Sequence, residues 1–338
     1  MVVMRKPVPQ GTEFKSLCCG EMGVLMALEI QKGADFQATR RYGSNQKATD
    51  INKTHEIFPP HIAVTLRLNE SAKVVGTGRS CSVDSAFGSV PCAVACDSKG
   101  VALAAIVKTA HKECPTEYFK AWQKTEPKVG EHIVLSSELD PTKGTRFFAV
   151  CWRGSKTFKT TVFTSGNTLD STLQERHGHK KVLIEGVWAT VRTLKTVRRY
   201  DALCQMFQAF SKVDIHDHLR QGIIDWETFW ITRSWDVRIF TTLLSMCITN
   251  GFLAYKWERQ RSGLPVMPLL TFFDQIAYKL IFNQHLERPH RVLQISAQNQ
   301  RVICFDVRFN YKSRYIYIYI YIYCTFIVTK TQSKSLIS

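Results

Sequence analysis

A chain of 338 residues holds one large domain or two ordinary ones, and 45% hydrophobic with 22% charged residues is the composition of a globular protein that builds a core without disulfide help. The 45 Lys and Arg against 28 Asp and Glu leave a net charge of +17, a field that attracts polyanions. Nucleic acid is therefore the first partner to expect, an anionic membrane surface the second, and a merely solubilising surface the alternative.

The opening MVVMRKPVPQGTEF has no apolar core of a secretory leader. The eleven cysteines are scattered, and the closest pairs, Cys18/Cys19 and Cys92/Cys96, lack a second pair at zinc-finger spacing. They read as reduced thiols of an intracellular protein.

In chain order, Thr12–Cys18, Val24–Ile30 and, after the Pro59-Pro60 break, Ile62–Leu68 are predicted strands. Arg79–Val83 predicts a short strand ending at Asp84. Ser89–Ser98 predicts a helix with Pro91 in its first turn, and Ala102–Val107 a buried strand. Strand, Asp, turn, helix, strand is an α/β arrangement. From His111 to Lys195 the texture is β-rich, with strands expected at Ile133–Ser136, Arg146–Trp152 and Thr157–Thr164 between turn signals. Helical pattern returns near Arg199 and includes Trp235–Glu258 and Leu269–Leu286. Within the former, Ile239–Tyr255 is uncharged, but its 17 residues with Thr, Ser and Asn250 suit a buried core helix better than a membrane span.

Tyr315–Tyr323 reads YIYIYIYIY. As protein it is an aggregation-prone strand. As translation it is what an alternating A/T repeat gives, since ATA encodes Ile and TAT encodes Tyr, and that reading is favoured.

Chemistry concentrates in Ser211–Gln221, SKVDIHDHLRQ. On a helix, Asp214, Asp217 and His218 share one face and His216 points elsewhere. Carboxylates on one face suit Mg²⁺ or Mn²⁺; a helix cap with solvated neighbours is the plainer alternative. His216-x-His218 also resembles the motif of amidohydrolases, but their barrels need about 250 residues and 120 follow His218. Asp84 is well placed for a site at the carboxyl edge of a sheet, although alone it could simply start a turn. Gly76-x-Gly78 is too short for a phosphate loop.

Taken together, GTGRSCSVDSAFGSVPCAVA with IVKTAH, then YDALCQMFQAFSKVDIHDHLRQG and WDVRIFTTLLSMCITNGFLAY, resemble the transposase domain of piggyBac-type elements over roughly Arg5 to Leu286. The resemblance implies a ribonuclease H-like α/β fold that cleaves and transfers DNA strands at TTAA sites, working in the nucleus, with DNA as partner and a homodimer as assembly. It implies that Asp84 matches the family's second catalytic Asp, Asp214 the third, and Asp217 an additional one a helical turn on. Together they would hold two Mg²⁺ ions, about 3.5–4 Å apart in such sites. The family's first Asp falls upstream of the segment matched by Arg5–Gly11 and its cysteine-rich C-terminal module has no counterpart. The expectation is a truncated, inactive derivative, or alternatively a non-catalytic basic DNA-binding or scaffold protein. The corresponding segments are 1–110, the first part of the core lacking its first strand; 111–195, a β-rich insertion; 196–290, the helical second part; and 291–338, a tail outside the fold.

Overall fold

The computed structural model describes residues 13–44, 56–108, 113–140, 145–154, 157–164, 171–184, 187–226, 234–282, 301–311 and 314–324. The chain divides into two units, Met1–Ile215 and His216–Ser338.

The first unit is built on a mixed sheet. Strands β3 (Ser80–Val83) and β4 (Ala102–Val107) run parallel, joined by helix α3 (Val90–Ser98). The sheet continues antiparallel through β7 (Phe158–Thr164), β6 (Thr145–Arg153) and β5 (His132–Asp140). The segment 111–195, expected as an insertion, thus contributes three strands to the same sheet as β3 and β4. Its remainder holds helix α4 (Thr116–Gln123), which the sequence reading did not anticipate, and a separate two-stranded sheet of β8 (Ser171–Ile184) and β9 (Val187–Tyr200). A hairpin of β1 (Phe14–Cys18) and β2 (Leu25–Ile30) precedes the short helix α1 (Ala34–Ala38) and helix α2 (Pro60–Ser71).

Alternation along the strands sends side chains to two cores. Leu103, Ala105 and Val107 of β4, with Cys151 and Val162, join Ile62 and Leu66 of α2 and Cys92, Ala93 and Cys96 of α3. Ala104, Val150, Trp152 and Phe163 point the other way, onto Ala202, Leu203 and Met206 of helix α5 (Asp201–Leu219). Helices on both faces of a mixed sheet make this an α/β fold. Tyr200 fixes the start of α5: it is fully buried, its hydroxyl lies 2.8 Å from Thr161 Oγ1, and its ring meets Phe163 edge-on at 5.5 Å.

One predicted strand is overturned. Ile62–Leu68 lies within helix α2, with Pro60 in its first turn. A buried apolar run cannot be told from a buried helix by pattern alone. Here Thr65, Arg67 and Asn69 are buried along with Ile62, Val64 and Leu66, so there is no exposed face for a helical period to reveal.

In the second unit a π-helical turn (Arg220–Ile224) is followed by helices α6 (Trp235–Arg261) and α7 (Leu269–Ile281). The two pack through Phe252, Tyr255 and Phe272, with Tyr255 stacked on Phe272 at 5.3 Å, and Pro265–Pro268 makes the connection. Among the described residues α6 is the one helix long and apolar enough to cross a membrane. Its buried residues include Thr241, Thr242, Ser245, Thr249 and Asn250, a polar set that packs inside protein. In the segment expected as a tail, β10 (Arg301–Tyr311) and β11 (Arg314–Cys324) pair antiparallel with each other and with no other strand among those described.

Candidate active site

Asp84 follows directly on β3, at the carboxyl edge of the parallel pair, and is exposed. Its local geometry is a tight Asx-type turn. Oδ1 accepts from Ala86 N at 2.9 Å, and the carbonyl accepts from Gly88 N at 2.8 Å and Phe87 N at 3.2 Å. Gly88 is required there by close approach: a Cβ at that position would stand 2.0 Å from the Ile106 carbonyl oxygen. Ser89 then caps α3, its Oγ accepting from Cys92 N at 3.2 Å while lying 3.3 Å from His61 Nε2 at the start of α2. Lys15 of β1 places its ammonium over the Phe87 ring at 5.1 Å. Asp84 therefore sits on a loop fixed from three elements.

Asp214 lies on α5, in the same unit as Asp84, and is exposed. The helix that carries it packs on the back of β4, β6 and β7, and Lys212 donates to the Glu21 carbonyl at 2.7 Å in the β1–β2 turn. Asp217 and His218 follow on α5 at the helical spacing expected. Asp217 is partly exposed and pairs with Arg220 at 3.5 Å. His216 is buried instead, 2% exposed, with Nε2 3.2 Å from Asn250 Oδ1 of α6. Burial lowers its pKa, against the opposing pull of Asp217 and Asn250. The sequence reading that turned His216 away from Asp214 and Asp217 matches this placement.

Among the described residues no three His, Cys, Asp or Glu side chains gather into a group able to hold a metal ion. Gly76-x-Gly78 is not a phosphate cradle: Gly76 N donates to Lys99 O, Thr77 N to Val74 O and Gly78 N to Gly100 O, so the loop's amides are engaged within the protein. Cys18, Cys19, Cys81, Cys92, Cys96, Cys114, Cys151, Cys204 and Cys247 are free thiols.

Comparison with known proteins places this geometry. The Transposase IS4 family matches residues 2–252. Among solved structures, that of a piggyBac transposase in a synaptic complex with hairpin DNA is similar, with a TM-score of 0.55 and 15% identity, over 86% of this chain and 50% of the other. The chain spans half the length of that transposase chain. No curated protein sequence matches it. The family match covers both the strand ending at Asp84 and the helix bearing Asp214, and the structural likeness extends across most of the chain. The chain belongs to the Transposase IS4 family, and its α/β fold is similar to that of a piggyBac transposase.

Proposed function

We propose that this protein descends from a transposase that cut and joined DNA strands, that it no longer does so, and that it retains DNA binding. In this reading Asp84, Asp214 and Asp217 descend from the catalytic carboxylates, and Mg²⁺ is the ion those carboxylates served. DNA is the partner, a second copy of the chain completes the assembly, the site of action is the nucleus, and no membrane is involved.

The observation that carries the loss of catalysis is the state of the carboxylates. Two-metal catalysis needs acidic side chains converging on a pair of ions, with their oxygens available. Asp84 commits Oδ1 to its own turn, Asp217 is engaged by Arg220, and no metal-holding group of three forms among the described residues. Asp84 and Asp217 thus each have one carboxylate oxygen already engaged within the protein, which works against a two-metal centre. The net charge of +17 and the likeness to a transposase bound to DNA support retained binding.

The test is a gel assay with the purified full-length chain, Mg²⁺ or Mn²⁺, and duplex DNA carrying TTAA beside terminal repeats. The expected result is strand cleavage and transfer no greater than background. Cleavage that disappears in Asp214→Asn would overturn the inactive reading and establish Asp214 as a working ligand.

A further inference from the structure

The β8–β9 hairpin stands out for length, isolation and charge. Each strand has 14 residues, against nine at most in the core sheet, and among the described residues the pair bonds to no third strand. At about 3.3 Å per residue it extends some 45 Å, more than one turn of B-DNA at roughly 34 Å. These 28 residues carry seven Lys and Arg and a single acid, Glu175. They thus supply an excess of six positive charges to the chain's seventeen.

The register makes the charge costly. Arg176 stands directly across from Lys195. Like charges directly opposite on a ribbon destabilise it, and an isolated two-stranded hairpin is marginal to begin with. The register also assigns Arg176, Lys180, Lys195 and Arg199 to one face, and Lys181, Arg192 and Arg198 to the other. With one acid among them, the ribbon has little of its own to offset this repulsion, which a polyanion would reverse. Trp188, beside the turn, is 69% exposed. The B-DNA major groove admits a two-stranded ribbon, whereas the deep, narrow groove of A-form RNA does not.

We propose that β8–β9 is a DNA-binding ribbon, lying along the major groove of duplex DNA with cationic residues of both faces directed at the phosphates flanking it. This rests on the DNA partnership proposed above and locates it on one element.

The experiment compares salt dependence of binding to a 30-bp duplex for the full-length chain and two fourfold variants. One is R176Q/K180Q/K195Q/R199Q; the control removes equal charge from exposed sites outside the ribbon as K120Q/K124Q/K128Q/R146Q. With about 0.9 in log–log slope per phosphate neutralised, the ribbon variant should lose about three to four from the slope and at least tenfold in affinity at low salt. The control should lose less than one. Lys195→Glu guards against misfolding: it turns the repulsive pair with Arg176 into an attractive one, so it should keep or raise the melting temperature while weakening binding. Equal losses in both fourfold variants, or an unchanged slope in the ribbon variant, would overturn the ribbon while leaving DNA binding intact. Equal, ribbon-dependent binding of an RNA duplex would overturn the groove assignment. Absence of any low-salt binding by the unaltered chain would instead refute the DNA partnership itself, and the ribbon's role with it.

Discussion

Glu29 of β2 and Arg67 of α2, 38 residues apart, are 4% and 6% exposed and joined by two hydrogen bonds of 2.9 Å. Arg67 also donates to the Arg41 carbonyl at 2.8 Å and to Gln37 Oε1 at 2.9 Å, tying the hairpin, α1 and α2 together. Burial alone would raise the Glu29 pKa, but the hydrogen bonds and charges of Arg67, with Arg40 beside it, leave it below the ordinary 4.5. A carboxyl with a depressed folded pKa contributes stability that is complete above its unfolded value and is lost as pH falls through the folded one. The pair should therefore weaken below about pH 4.5. Arg67→Ala, which leaves the buried carboxylate only Arg40 at 3.4 Å and Gln31 at 3.1 Å, should cost about 3 kcal/mol in denaturant unfolding at neutral pH, the low end for breaking a buried pair. A loss under about 1 kcal/mol, the range of an exposed pair, would mean the pair is not holding these elements together. Nothing in the sequence marks such a partnership, because neither residue has a local pattern pointing to the other. Asp84 was legible for the opposite reason: a short strand, an Asp and a Ser-Ala-Phe-Gly turn are contiguous.

At the scale of elements, local signals carried well where a cap or an alternation was present. Ser89 before Val90-Pro91 marks the start of α3, and its side chain does cap that helix. The turn signals that bound β6 and β7 were equally readable. Helix α2 was not, since its buried residues leave no exposed polar face, and neither was the pairing of β7 with β4, which joins residues 53 to 59 positions apart. The π-helical turn after α5 has no sequence signature either. His216 gives α5 a measurable property. Burial first, and Arg220 secondarily, lower its pKa below the ordinary 6.5. Because the unfolded chain takes up this proton before the native one, stability from this group is full above that value and declines as pH falls below it. The thermal midpoint should fall between pH 7 and 5, and His216→Gln, which keeps a donor toward Asn250 but cannot titrate, should flatten that dependence. An identical pH slope in the variant would show that the imidazole is not protected in the native state.

For the molecule as a whole, the charge was the first feature readable and the least specific. A positive field can attract DNA, coat an anionic membrane or merely keep the chain in solution, and composition does not separate them. Their dependence on salt and on surface does. Counterions released from a duplex make log K fall linearly with log salt, by about 0.9 for each phosphate neutralised. The ribbon alone, with seven Lys and Arg, would yield a slope near −6 if all of them reached phosphates. The measured slope for the full chain should therefore lie between about −3, for one face engaged, and −6 or steeper, for both faces with help from elsewhere. Dissociation constants at physiological salt should sit near the non-specific range of about 10⁻⁴–10⁻⁶ M. Vesicles containing anionic lipid, titrated in parallel, provide the second surface. Weaker binding to them than to DNA at matched salt is the expected outcome. Preference for the vesicles would transfer the role of the charge to a membrane, and binding to neither at low salt would leave it a solubilising surface.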